Sequence, residues 1–276
     1  MKIAIVTCQT IPEPDVDEGI VLEAFSRRGH EVHLVAWEDS SIDWTDFDCA
    51  IVRSTWNYPL AVNHFASWIR TVSAETTLLN PAKIMLSNLN KRYLVDLDAS
   101  GIPIVPTKWI FPDDAEKLQE LIFEKSVVKP AVGAGSMDTR VFEANQVEEA
   151  IAWLARQSPE REFMVQPFFS SVNTVGEQSI IVIGSEPSHR IVKHPRFAGQ
   201  DERVDGPFEV GEFDSLVRNL IEPIKDQILY ARIDLMMDNE GAWRLSELEL
   251  IEPSLFFIQQ PDALEALIDR VEHLLG

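Results

Sequence analysis

Apolar and polar positions alternate in blocks along the chain, and the period of the blocks changes. Lys2–Thr7 is an apolar run of strand length, and Asp17–Arg28 repeats at helical spacing before Gly29. Glu31–Trp37 and Asp48–Arg53 read as two more strands, and Val62–Val72 as a helix with Phe65, Ile69 and Val72 on one side. This strand–helix alternation predicts a small parallel sheet with helices packed on it. Asn80-Pro81 then punctuates the chain.

A second block begins near residue 85. Asn90–Ala99 has helical spacing and stops at Ser100-Gly101, and Ile102–Ile110 carries Pro103 and Pro106, so it is extended but irregular. Asp113–Phe123 reads as a helix, Ser126–Lys129 as a strand, Asn145–Arg156 as a helix and Glu162–Phe168 as a strand. The third block is strand-rich. Glu177–Ile183 and His189–Lys193 flank the turn GSEPS, Phe197–Gly211 reads as a loop, and Phe213–Ile224 is an apolar helical stripe with a break at Pro223. Tyr230–Met237 and Ala242–Ile251 follow as strands, and Asp262–Leu275 as an amphipathic helix. The breaks divide the chain into parts spanning 1–85, 86–168 and 169–276 of an α/β protein, α+β in its core.

Composition narrows the functional classes. With 276 residues, 45% of them hydrophobic, the chain can bury a full core without disulfide staples. Its 24 basic and 45 acidic residues give a net charge of −21, which argues against a nucleic-acid partner and an anionic membrane surface. Any phosphate site must then be built from a few well-placed cations and backbone N–H groups. Cys8 and Cys49 lie in or beside apolar runs without metal-ligand spacing and read as buried free thiols, which fits a reducing cytoplasm. The first apolar run is too short for a signal peptide, and none approaches the ~20 residues that span a bilayer.

The stretch most informative about chemistry is YARIDLMMDNEGAWRLSELELIEP, residues 230–253. A hairpin with Asn239 and Glu240 at its tip sets Arg232 opposite Glu247, and puts Arg232, Asp234, Glu247 and Glu249 on one face. Two readings stay open on spacing alone. In one, Arg232 and Glu247 form a cross-strand ion pair. In the other, Asp234, Glu247 and Glu249 hold one or two Mg²⁺ ions, which suit all-oxygen ligands, while Arg232 holds a phosphate. Upstream, VVKPAVGAGSMDT places Lys129 before a loop in which Gly133, Gly135 and Ser136 let backbone N–H groups approach an anion. This loop is neither a Walker A loop nor a dinucleotide fingerprint. Lys91 opens a helix and Glu177 opens a strand; each also reads as an ordinary surface charge. Arg53 ends a parallel strand, where α/β sheets bind ligands. Ser54, Thr55 and Asn57 beside it add hydrogen-bonding groups, and Lys193, His194 and Arg196 cluster three cations in an acidic chain.

Taken in order, NKRYL, VVKPAVGAGSMDT, MVQPFF, GEQS, ARIDLM and LSELELIEP resemble the ATP-grasp superfamily, in particular its glutathione-synthetase-like members. RSTWNYP, GIPIVPTKW and ELELIEPSLFF are similar to the cyclo-ligase branch of D-cycloserine biosynthesis, although Asn57 stands where that branch has Asp. The resemblance implies an N-terminal βαβ domain ahead of a two-part ATP-grasp core, and a ligase that activates a small carboxylate as an acyl-phosphate. It implies ATP and Mg²⁺ as cofactors, with Mn²⁺ able to substitute, and leaves a homodimer open. By the same resemblance, Lys91 and Lys129 contact the ATP phosphates and the loop 133–139 closes over them. Gln166, Pro167, Phe168 and Phe169 form the adenine-recognising linker, and Glu177 lies near the ribose. Asp234, Glu247 and Glu249 bind Mg²⁺, and Arg232 stabilises the phosphoryl group in transfer. Two other classes were weighed: a nucleotide binder without catalysis, against which the full set of charged residues argues, and an NAD-dependent dehydrogenase, which lacks its glycine fingerprint.

Overall fold

A computed structural model describes residues 1–135, 137–195 and 203–276. The chain falls into two compact units whose boundaries differ from the three-part division expected from sequence. The first comprises 1–89, 176–234 and 247–276, and the second comprises 90–175 and 235–246.

The first unit opens with β1 (Lys2–Thr7), α1 (Glu18–Arg27), β2 (Glu31–Ala36), β3 (Cys49–Ser54), α2 (Val62–Glu75), β4 (Thr77–Leu79) and α3 (Ala82–Asn88). The strands form a parallel sheet in the order β2-β1-β3-β4, as the alternation predicts. Gly29 ends α1 with φ +87°, a conformation only glycine adopts cheaply. Phe65, Ile69 and Val72 are fully buried on α2, each worth roughly 1.5–3 kcal/mol of transfer free energy. The short β4 and α3 were not anticipated, because three- and seven-residue elements leave too little period to read.

The second unit holds α4 (Tyr93–Ala99), β5 (Lys108–Ile110), α5 (Leu118–Leu121), β6 (Lys125–Pro130), β7 (Arg140–Glu143), α6 (Val147–Leu154) and β8 (Phe163–Pro167). Its antiparallel sheet runs β5-β8-β6-β7 over a core that includes Leu118, Val128, Phe142, Leu154 and Phe163. The helix expected over Asp113–Phe123 is broken. A 3₁₀ turn, Pro112–Lys117, bends at Asp114 (φ −102°, ψ 17°) before the single turn of α5. Edge strand β7 escaped the sequence pattern because only Phe142 points inward.

The remaining elements are β9 (Glu177–Ile183), β10 (Glu186–Lys193), β11 (Val204–Phe208), α7 (Asp214–Ile221), β12 (Tyr230–Met237), β13 (Trp243–Glu249) and α8 (Pro261–Leu275). The five strands form one sheet in the order β11-β10-β9-β12-β13. Within the stretch 197–211 expected as a loop, β11 pairs antiparallel with β10 at the sheet edge, where Gly206 and Pro207 are tolerated. In the first unit, Leu264, Leu267, Ile268 and Val271 of α8 join the core of Ile3, Ile5, Phe25, Ile181 and Leu229. Among the described residues, no helix is long and apolar enough to cross a membrane. Cys8 and Cys49 are buried free thiols.

Candidate active site

The turn between β12 and β13 decides which charges meet. Asp238 N–H donates to Ala242 O (2.8 Å), Gly241 N–H donates to Asp238 O (3.1 Å), and Gly241 has φ +87°. The tip therefore spans residues 239–241, one more than expected, as in a three-residue loop with glycine in the left-handed position. The Asp238 carboxylate caps it, accepting from Glu240 N–H (2.9 Å) and Ala242 N–H (2.8 Å). Across the hairpin, Arg232 Nη2 lies 2.5 Å from Glu249 Oε1.

Around that pair, four neighbouring strands of the first unit place charge on one face. Arg232 and Asp234, two residues apart on β12, point the same way, and the guanidinium grips the carboxylate through Nε (3.0 Å to Oδ1) and Nη2 (2.9 Å to Oδ2). From β9, Ser179 Oγ donates to Asp234 Oδ1 at 2.6 Å. From β10, Lys193 Nζ lies 3.1 Å from Asp234 and 3.4 Å from Glu177. Ser179 was missed in the sequence, although it sits two positions from Glu177 and so shares its face.

Burial and neighbours set the protonation states. Burial alone would push Asp234 up, but Arg232 and Lys193 outweigh it and hold the carboxyl well below its ordinary value. Burial pushes Glu177 up to about 7, with Lys193 opposing and Asp234 and Glu247 reinforcing the rise. Glu249 is also raised by burial, against the pull of Arg232. Lys193 and Arg232 are held charged by these carboxylates despite burial. The balance is unequal. Glu177, Asp234, Glu247 and Glu249 (−4) interact with Arg232 and Lys193 (+2), leaving −2 when all are ionised.

A divalent cation would cancel that excess, and carboxylate oxygens are the donors a hard cation such as Mg²⁺ takes. The residues therefore fit a metal in charge and chemistry. They are not a ready-made cage: among the described residues, no three His, Cys, Asp or Glu side chains stand in metal-holding geometry, and Asp234 is gripped by its own cations.

The second unit brings its expected residues together differently. Lys91 is buried and donates through Nζ to Gly133 O (2.8 Å), and its N–H donates to Ala131 O (2.9 Å), so the lysine is tied to the glycine loop. Gly135 takes φ +58° and Asp138 φ +55° in that loop. Ser136 lies outside the described residues. Lys129 is half-buried on β6, paired with Met164. In the linker, Gln166 Nε2 donates to Thr107 Oγ1 (2.9 Å), Phe168 N–H donates to Lys125 O (2.9 Å), and Phe169 is buried. Pro167 and Phe168 line, with Phe123, Lys125 and Asn239, a concave space of about 550 Å³.

At the expected substrate end, most polar groups are turned inward. Arg53 is 2% exposed, donates from Nη1 to Pro253 O (2.9 Å), and lies over the rings of Tyr230 and Phe257. Its Nη2 lies 4.0 Å from the buried Asp17 carboxylate, and its Nε, like the buried Thr55 Oγ1, makes no hydrogen bond. Ser54 Oγ donates to Thr7 Oγ1 (2.9 Å), and Asn57 accepts from Trp37 Nε1 (2.8 Å) while donating to Glu38. His194 meets Asp205 across β10 and β11 at 2.6 Å. Arg196 lies outside the described residues.

A family model described as the N-terminal domain of D-cycloserine synthetase DcsG matches residues 3–80. The cycloserine biosynthesis protein DcsG of Streptomyces lavendulae is 28% identical over 302 aligned positions, covering 98% of this chain and 99% of that protein. The crystal structure of D-cycloserine synthetase DcsG superposes with a TM-score of 0.87 at 26% identity, over 100% of both chains. D-alanyl-alanine synthetase A of Vibrio cholerae matches with a TM-score of 0.70 at 14% identity, over 100% of this chain and 98% of that one. The chain has the fold of these synthetases, and over its whole length it is similar to the D-cycloserine synthetase DcsG.

Proposed function

We propose that this protein uses ATP to activate a small amino-acid-like carboxylate as an acyl-phosphate, which a nitrogen nucleophile then captures with release of phosphate. Where one substrate carries both groups, the product is a ring, as the likeness to the cycloserine branch favours. The observation that carries the reading is the cluster of Arg232, Lys193, Asp234, Glu177 and Glu249 on four adjacent strands. It buries two cations with a surplus of carboxylate, the combination a metal–triphosphate complex requires.

A carboxylate is a weak electrophile with a poor leaving group, so the work lies in placing it in line with the γ-phosphoryl and stabilising charge there. Arg232 and Lys193 supply fixed positive charge for phosphoryl oxygens. Asp234, Glu247 and Glu249 would hold one or two Mg²⁺ ions, which when bound neutralise phosphate charge. Lys91 and Lys129 steer the triphosphate, and the glycine loop 133–139 excludes water that would hydrolyse the acyl-phosphate. The linker 166–169 receives adenine. Arg53 and Thr55 are the donors for the substrate carboxylate, and Lys193 and His194 supply positive charge for an anionic group, with Arg196 the third cation of that stretch of sequence. The protein acts in the cytoplasm, where both thiols stay reduced.

The test is an ADP-release screen across amino acids and small carboxylates, with product masses determined. A single substrate that loses one water reports ring closure, and two substrates joined with loss of one water report intermolecular ligation. Absence of carboxylate-stimulated ADP release across the screen would overturn the proposal.

A further inference from the structure

Strand β13, which carries Glu247 and Glu249, is the outermost strand of its sheet. An edge strand presents peptide groups that need partners from elsewhere. In a strand, the C=O of one residue and the N–H two residues on point the same way and bracket the residue between them. Around Glu249 these groups are Leu248 O and Leu250 N–H. Both are taken by one side chain: Asn88 Nδ2 donates to Leu248 O (2.8 Å), and Leu250 N–H donates to Asn88 Oδ1 (2.9 Å). A carboxamide carries the donor and acceptor of a peptide group side by side. Asn88 therefore does for Glu249 what one residue of a further strand would do.

The arm that brings Asn88 there is itself anchored. Asn88 ends α3, which is seated by buried Ile84 and Met85. Before α3, the fully buried Asn80 donates to Tyr230 O and Leu250 O (2.9 Å each) and accepts from Leu229 N–H (2.5 Å). The two asparagines together hold the N–H and the C=O of Leu250, and Asn80 also ties it to the start of β12. Glu249 needs such support. Its side chain is 28% exposed, so packing alone does not fix it, yet its carboxylate meets Arg232 at 2.5 Å.

We infer that Asn88 is a positioning residue for Glu249: it fixes the backbone that aims this carboxylate into the Arg232–Asp234 cluster, and through it sets the affinity of the site for its divalent cation. The inference rests on the ligase reading above. Residues that orient a metal ligand typically cost 10–100-fold in affinity or activity when removed.

The experiment measures Mn²⁺ binding by the loss of the free-ion paramagnetic resonance signal, with a non-hydrolysable ATP analogue present. Asn88→Ala should weaken Mn²⁺ binding roughly tenfold and raise the Mg²⁺ concentration that half-saturates turnover. Asn88→Gln, which keeps the amide on a longer arm, should recover part of the binding. Ser87→Ala is the control: Ser87 Oγ donates to Ile84 O in the same helix and does not touch β13. Mn²⁺ binding by Asn88→Ala equal to that of the unaltered protein overturns the inference, as does an equal loss in Ser87→Ala. Failure of the unaltered protein to bind Mn²⁺ overturns the metal reading, and this inference with it.

Discussion

Lys193 Nζ lies 3.1 Å from Asp234 Oδ2 and 3.4 Å from Glu177 Oε1, so one ammonium bridges carboxylates from two different strands. Lys193 and Glu177 are also direct partners across β10 and β9. The lysine is 14% exposed at its side chain, so these attractions act in a medium poorer in water than the surface. Together with Arg232, it holds the Asp234 carboxyl well below its ordinary value despite burial.

Lys193→Met removes that charge and raises the local excess from −2 to −3. Mg²⁺ alone should then protect the variant against heat more than it protects the unaltered protein, because a vacated Asp234 oxygen is offered to the ion. Turnover of ATP should fall roughly 100-fold, as for loss of one donor to a developing phosphoryl charge. Thermal melts with and without Mg²⁺, beside an ADP-release assay, check both. Equal Mg²⁺ protection of the two proteins would refute the exchange of cation for metal.

Asp234→Asn keeps the shape of the side chain and deletes the charge that holds Arg232 and Lys193. ADP release at saturating ATP and Mg²⁺ should fall by at least roughly 100-fold, with an unchanged far-ultraviolet circular dichroism spectrum. Normal turnover in this variant would remove Asp234 from the reaction.

The strands and the carboxylate-bearing hairpin were legible because their apolar period is regular and their charged positions alternate. The parallel sheet of the first unit follows directly from the spacing in Lys2–Thr7, Glu31–Ala36 and Cys49–Ser54. What alternation does not carry is the partner of each charge. Arg232 grips Glu249, and nothing in the alternation singles out Glu249 from Glu247 on the same expected face. Arg53 donates to a backbone carbonyl 200 residues away and pairs with Asp17, and Asn80 and Asn88 act on backbone groups of β12 and β13. Bonds from a side chain to a distant peptide group leave no period in the sequence. Asn80 shows there only as part of a turn signal.

Gly176 has φ +76°, and a Cβ placed on it would lie 2.6 Å from Val192 Cγ1 and 2.8 Å from Lys193 O. The nearer atom is a side chain, but the second is backbone and cannot simply rotate away. Gly176→Ala should therefore combine left-handed strain of roughly 1–2 kcal/mol with overpacking of about 1–3 kcal/mol. It should also shift Lys193 and Glu177 together. Denaturant unfolding gives the first effect and the KM for ATP the second. A variant as stable as its parent would show that β9 and β10 part there without cost.

His189 on β10 is 2% exposed, its Nε2 has no partner, and its Nδ1 lies 3.1 Å from Ser188 Oγ. Burial holds the ring neutral and lowers its pKa from 6.5 to about 4, with a hydrogen bond to the Leu255 backbone opposing. In the unfolded chain the ring takes a proton as pH falls below 6.5; in the folded chain it refuses one until about 4. Unfolding thus absorbs a proton in that window, and stability contributed by the neutral ring is present above 6.5 and lost as pH falls towards 4. The full swing is at most about 3 kcal/mol. Glu177 runs the other way, because its raised pKa favours the folded state at low pH and the contribution fades as pH rises through about 7. The His189 effect must therefore be read as a difference between two proteins. His189→Met, which loses no hydrogen bond at Nε2, should flatten the fall in stability between pH 6.5 and 4 while leaving the behaviour near pH 7 in place. Denaturation midpoints across that range measure it, and parallel curves for the two proteins would assign the acid lability to other groups.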